Sequence, residues 1–160
     1  MTETGKLFDV IDDFDTCIMT TFTADGTPHG RPMHVARREG HTLWFLTNVD
    51  SPKVLEVADD DPVVLTFQSQ TDWVAATGSA RITQSADRVA ELWSAPMRAW
   101  LPDGPSKPGV AAMSVELHSA EYWSMSAGDL VSFAFGVARS IVSRQPIDRD
   151  PEGEHGDVRL

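Results

Sequence analysis

A chain of 160 residues, 41% hydrophobic and 23% charged, has the size and composition of one globular domain with its own core. Its net charge of −11, from 24 acids against 13 bases, repels nucleic-acid phosphates and anionic lipid surfaces, which argues against both as partners. One cysteine, an acidic start without a signal-peptide core and no apolar run of about 18 residues exclude a disulfide scaffold and predict a cytoplasmic protein without membrane contact.

Leu7, Val10 and Ile11 recur at helical spacing and predict a short amphipathic helix over about Thr4 to Phe14. TCIMTTFT then reads as a strand, and Asp25-Gly26 is a strong hairpin signal before the returning strand PHGRPMHVARRE. A turn at Glu39-Gly40 leads into HTLWFLT. Ser51-Pro52-Lys53 has the form of a helix start, with Ser as N-cap and Pro in the first turn. Val54, Leu55, Val57 and Ala58 supply the apolar stripe, and the helix is expected to end before Asp59-Asp60-Asp61 and Pro62.

PVVLTFQ alternates as a strand, and WVAATGSARIT follows as another, with Gly78 marking a bulge or bend. Ser85 is placed to cap a helix carrying Val89, Leu92 and Trp93, which Pro96 kinks or ends. LPDGPSKPG is a loop, VAAMSVELHSA alternates cleanly, and EYWSMS reads as a last short strand. From Gly128 to Val142, Leu130, Phe133, Val137 and Ile141 predict a helix whose apolar face docks on its own barrel or on a second subunit. The polar, Pro- and Gly-containing residues 144–160 are expected to be a mobile tail behind a domain of residues 1–143. The pattern is that of an α+β, mainly β protein: a six- to seven-stranded antiparallel barrel with a few peripheral helices.

Few patterns carry chemistry. Ser51, the following helix start and Lys53 form a candidate anion pocket, with Thr47 and Arg31 near enough to join it. A Ser-Pro helix start is common without any ligand, so the residues alone leave both readings open. His29 and His34 stand five positions apart on one strand and face opposite sides, and no carboxylate or thiol completes a metal spacing, so no metal is expected. No G-x-S-x-G, G-x-x-x-x-G-K or G-x-G-x-x-G is present. Cys17 lies in an apolar run and reads as a buried, inert thiol. Trp44 and Trp93 read as core; Trp73 and Trp123, at strand ends, suit a barrel rim or a dimer seam.

The ordered set RPM at Arg31 to Met33, LWFLTNVDSPKV at Leu43 to Val54, GSARI at Gly78 to Ile82, LWSAPMRAWLPDGP at Leu92 to Pro105 and AEYW at Ala120 to Trp123 resembles the general stress protein branch of the pyridoxamine 5'-phosphate oxidase-like superfamily. These are FMN-binding split β-barrels, and the resemblance runs from about Lys6 to Val142. It implies an FMN site (FAD is the larger alternative), a homodimer with two sites at the interface, and flavin contacts from Arg31, Pro32, Met33 and His34. It implies a phosphate held by Thr47, Asn48, Ser51 and Lys53, with Trp73 beside the ring and Trp123 reaching it from the other subunit. Trp100 and the loop from Pro96 to Pro108 are expected to close over the flavin face.

The substrate apparatus of true pyridoxamine phosphate oxidases departs here. Pro52 stands where they carry the arginine of an Arg-Lys pair, Ala36 where a strand-end lysine holds the substrate phosphate, and Asp129 and Val131 where an Arg-x-His follows the tryptophan. The resemblance therefore implies a flavoprotein that does not oxidise pyridoxamine phosphate, and a flavin-dependent oxidoreductase of unknown substrate if it turns over. The alternatives are a non-catalytic flavin-binding or sensing module, the same barrel binding a deazaflavin or haem, with His34 the tempting axial ligand, and a structural dimer that has lost its cofactor.

Overall fold

The computed structural model describes residues 1–51, 54, 56–57, 61–143 and 153–160, by backbone alone at 127, 130, 133, 136 and 141–143. Helix α1 spans Glu3–Asp12, and eight strands follow: β1 (Thr16–Phe22), β2 (Pro28–His34), β3 (Arg37–Glu39), β4 (Thr42–Asn48), β5 (Asp61–Gln68), β6 (Asp72–Thr83), β7 (Val110–Ser124) and β8 (Glu154–Arg159). Helix α2 (Ala86–Leu92) and a 3-10 turn (Ala95–Ala99) lie between β6 and β7, and α3 (Ala127–Ser143) follows β7. The path through the antiparallel sheet is β2-β1-β5-β6-β7-β4-β3, with β8 added on β7. Its two ends, β2 and β3, are separated in sequence by Val35 and Ala36 alone, so the sheet has to curl until its ends nearly meet. The result is the antiparallel split barrel that the sequence pattern implies.

Alternation drives this. Cys17, Met19 and Thr21 of β1, Leu43, Phe45 and Thr47 of β4, and Val63, Leu65 and Phe67 of β5 point inward and are buried. Helix α1 presents Leu7, Phe8 and Ile11 to the same core, and Thr2 caps it by accepting the Gly5 N–H at 3.0 Å. A second, outer cluster packs Val89 and Leu92 of α2 on Val110 and Ala112 of β7, with Trp44 and Leu46 of β4 beside them. Both faces of β7 are therefore covered at its start, where four successive residues are buried. Each fully buried aliphatic side chain contributes roughly 1.5–3 kcal/mol.

Gly78 is the bend. The β6–β7 register shifts between Thr77 and Gly78, and a Cβ there would lie 2.3 Å from the Glu116 carbonyl oxygen. Gly26 and Gly40, with φ of 85° and 61°, close the two hairpin turns read from the sequence.

Four expectations shift. PHGRPMHVARRE is two strands, because the chain turns at Val35 and Ala36, where the Val35 N–H bonds back to Asp15 and the Ala36 N–H to Trp44. VAAMSVELHSA and the first residues of EYWSMS are one strand, since β6 pairs with β7 from Ala112 to Ser124, across the expected break. Asp61, expected to lie before the strand that starts at Pro62, is the first residue of β5. The tail expected to be mobile from residue 144 contains β8, which pairs with Ser119–Ser124 on the edge of β7 that β4 leaves free. Its local composition is polar, but Gly156 and Val158 face inward, and Leu160 packs on the core. Residues 144–152 lie outside the described residues.

The β8 seat is specific. The Tyr122 hydroxyl donates to the Glu3 carboxylate at 3.0 Å, and Lys6 of α1 pairs with Glu154 of β8. At Gly156 a Cβ would stand 2.3 Å from the Tyr122 ring and 2.3 Å from Glu3 Oε2, so only glycine lets the strand pass. Helix α3 leaves Phe135 72% exposed and Val131 exposed beside it. The side chains of Leu130, Phe133 and Ile141, three of those expected to dock, lie outside the described residues.

Candidate functional site: a neutral groove between β2, β4 and the 3-10 turn

A groove of about 160 Å³, open to solvent at its mouth, is lined by Pro32, Met33 and His34 of β2, Leu46, Thr47 and Asn48 of β4, and Met97, Trp100 and Leu101. Its position follows from the topology. β2 and β4 face each other across the gap in the barrel, and β3 is too short to fill it.

Pro96 starts the 3-10 turn, in which the Trp100 and Leu101 N–H groups both bond to the Met97 carbonyl, at 3.0 and 2.9 Å. Met97 is thereby buried as an anchor, while Trp100 stays 51% exposed and lies over the His34 imidazole, ring centroids 5.5 Å apart and 20° between planes. The loop that follows is tied back to β4: the Val49 N–H donates to the Gly109 carbonyl at 2.8 Å. Asn48 turns its own chain by accepting the Asp50 N–H on Oδ1 at 3.1 Å.

Among the described residues the lining holds no carboxylate, ammonium or guanidinium, in a chain of net charge −11. Its polar members are His34, Thr47 and Asn48. Thr47 is buried, and its Oγ1 lies 3.4 Å from Ser51 Oγ. Beyond Ser51 the Val54 N–H returns to the Ser51 carbonyl at 3.0 Å, so the chain does turn where the helix start was expected. Pro52 and Lys53 lie outside the described residues.

Of the residues singled out in the sequence, Pro32, Met33, His34, Thr47 and Asn48 meet in this groove, and Ser51 adjoins it. Arg31 is held elsewhere, by Thr21 of β1 and by Glu56. Its Nη1 donates to Thr21 Oγ1 at 2.6 Å and its Nη2 to Glu56 Oε2 at 3.1 Å. Glu56 also accepts from the Thr21 hydroxyl at 2.5 Å and pairs with His29 Nδ1 at 2.8 Å. Hydrogen bonds from Thr21 first, then from His29 and Arg31, hold the Glu56 carboxyl down at about 2.

Trp73 and Trp123 are not in the groove. They face each other across β6 and β7, and Trp123, 40% exposed, carries the His155 ring at 5.0 Å and 13°. His29 and His34 point to opposite faces as their spacing implied, and Cys17 is buried, its thiol pushed up to about 12 by that burial.

The sequence missed Leu46, Met97 and Leu101 as lining residues, since apolar residues on a strand and a short turn read only as core. It missed Glu56 because one acid in an apolar stripe reads as the solvated side of a helix. Trp100 was visible as the bulky residue of a Pro-rich loop.

The architecture is that of a curled split barrel with a partly aromatic groove at its opening. The family model described as pyridoxamine 5'-phosphate oxidase like matches residues 2–148, and the chain belongs to that family. General stress protein 26 of Bacillus subtilis is 25% identical over 116 residues, covering 69% of this chain and 81% of its own length. Protein bli-3 of Neurospora crassa is 27% identical over 117 residues, 67% of this chain, but the match spans only 56% of that protein. Among solved structures, a general stress protein 26 from Jannaschia superposes with a TM-score of 0.72 over 98% of both chains at 19% identity. The general stress FMN/FAD binding protein of Xanthomonas citri superposes with a TM-score of 0.63 over 76% of this chain and 87% of its own, at 24% identity. No helix among the described residues is long and apolar enough to cross a membrane.

Proposed function

We propose that this protein is an FMN-binding flavoprotein of the general stress type, with its site in the groove between β2, β4 and the 3-10 turn. The observation that carries the reading is the convergence of Pro32, Met33, His34, Thr47 and Asn48 on one neutral groove, with the Ser51 hydroxyl beside that of Thr47. The chemistry of the groove fits the group. A tricyclic ring needs a flat apolar slot, which Met33, Leu46, Met97 and Trp100 supply. A ribityl phosphate needs hydrogen-bond donors and a cation; Thr47 and Ser51 offer hydroxyls, and Lys53 and Arg31 are the cations the sequence places nearest.

Bound flavin would contribute hydride or electron transfer; the chain's own groups bind, orient and exclude water. Among the described lining residues, His34 is the one side chain able to take up or release a proton, and chemistry in such a site belongs chiefly to the ring. The reading includes a homodimer, with Trp73 beside the ring and Trp123 reaching it from the second copy. Ala36 and Pro52 make it a flavoprotein other than a pyridoxamine phosphate oxidase.

The test is an FMN titration of pure protein followed by flavin fluorescence, with Thr47→Val and Trp100→Ala alongside. Saturable quenching is expected, weakened about tenfold in Thr47→Val by loss of one hydrogen bond to a charged group and about as much in Trp100→Ala by loss of stacking. Absence of quenching in the unaltered protein overturns the reading and turns attention to a deazaflavin or haem in the same groove.

A further inference from the structure

The resemblance gives Arg31 to the flavin, but the chain itself already holds it, at a carboxylate that no motif announced. Resting on the flavin reading above, we propose that Glu56 is a specificity-determining residue: it competes with the ligand's phosphate for Arg31 and so sets how strongly the site favours a phosphorylated flavin over an uncharged one.

The geometry supports an exchange. Three donors hold the Glu56 carboxylate, Thr21 at 2.5 Å, His29 at 2.8 Å and Arg31 at 3.1 Å, and Arg31 makes the longest contact. If Arg31 leaves, Thr21 and His29 still satisfy the carboxylate, so Glu56 stays charged and seated. Its depressed pKa, set first by the Thr21 hydroxyl, means that no physiological acidification removes it as a competitor. Glu56 is 13% exposed and Arg31 21%, so the pair is shielded enough for its charges to count and open enough for the guanidinium to turn outward.

Glu56 follows Ser51 by five positions, and the Val54 N–H bonds to Ser51 and the Val57 N–H to Val54. Arg31 is thus held by a residue of the same short stretch of sequence that begins at the Ser51 hydroxyl. A guanidinium presents two parallel donors to a carboxylate or a phosphate equally well, so a phosphate is a natural replacement partner. While Glu56 holds Arg31, the phosphate end of the ligand meets a neutralised cation beside a fixed negative charge.

The experiment compares FMN with riboflavin, which differ in the phosphate alone, in the unaltered protein and in Glu56→Gln. Tightening of FMN by about tenfold, with riboflavin changed by less than about twofold, is expected from freeing one charge-assisted contact. In the Arg31→Gln, Glu56→Gln double variant the gain is expected to vanish. Glu56→Asp keeps the charge and the fold while withdrawing the carboxylate by about one methylene, and is expected to give a smaller gain, about threefold. Equal change for both flavins, or weaker FMN binding in Glu56→Gln, overturns the proposal and leaves Glu56 a scaffold residue. If the unaltered protein binds neither flavin, it is the flavin reading that fails. Inorganic phosphate titrated calorimetrically then tests Glu56 by itself, with tighter binding in Glu56→Gln supporting the competition and no difference refuting it.

Discussion

The chain stacks an imidazole on an indole twice, and the two places differ in what surrounds them. His34 and Trp100 lie 5.5 Å apart over a groove whose lining is neutral and largely apolar. Trp123 and His155 lie 5.0 Å apart on the outer face of β7 and β8, with Glu121 3.8 Å from His155 Nε2 and solvent above. The first pair has a turn anchored by Met97 behind it and open volume beside it; the second is a strand-to-strand contact that holds an edge closed. A stacked pair is thus no mark of a site in itself. The volume and the hydroxyls of Thr47 and Ser51 are what separate a ligand slot from a seam.

Both regions hang on the bend at Gly78, which lets β7 serve β4 with its first half and β8 with its second. The largest effect is therefore expected from Gly78→Val. A Cβ 2.3 Å from a backbone oxygen cannot be absorbed by a side chain, and a loss of about 3 kcal/mol in stability is expected, read from a urea midpoint. It should disturb the groove and the β8 seam together; a variant with unchanged midpoint would show that the bend is dispensable.

Gly156→Ala is expected to separate the two regions. Its Cβ would strike the Tyr122 ring and Glu3, so β8 should lift and the bond between Tyr122 and Glu3 should break, a cost of about 1–3 kcal/mol. Hydrogen exchange is expected to accelerate across Glu154–Arg159 while β4 stays protected and the His34–Trp100 pair keeps its place. Acceleration in β4 as well would mean that the seam and the groove are one cooperative unit.

The same contrast explains what was legible beforehand. β1, β4 and β5 alternate strictly, the Asp25-Gly26 and Glu39-Gly40 turns are local chemistry, and Gly78 interrupts an otherwise regular strand; each is encoded within a few residues. Of the groove, the residues themselves pointed to Thr47; Pro32, Met33, His34 and Asn48 entered through the family resemblance, and their meeting in one groove depends on the curl of the sheet. β8 was not legible because GEHGDVRL is polar, and what makes it a strand is the vacant edge of β7 and the notch above Tyr122, both supplied by residues more than thirty positions earlier in the chain. Glu56 was hidden for the same reason: its partners Thr21, His29 and Arg31 come from a hairpin on the far side of two turns.

The smallest effect isolates the seam alone. The chain has a single tyrosine, so phenolate absorbance near alkaline pH reports Tyr122 without interference from another tyrosine. Burial first, then the bond to Glu3, pushes this hydroxyl up to about 12 from an ordinary value of 10.0. A group whose pKa is raised on folding stabilises the native state fully below its unfolded value and ceases to do so as pH rises through the folded one. The fold should therefore keep its full Tyr122 contribution up to about pH 10 and lose it towards about pH 12, with β8 the first element to loosen. Glu3→Gln removes the anion but leaves the ring buried, so the transition is expected to move only part of the way back towards 10.0. A complete return would assign the whole shift to Glu3 and make the notch at Gly156 an electrostatic seat; no movement would assign it to burial, leaving glycine at 156 as a purely steric requirement.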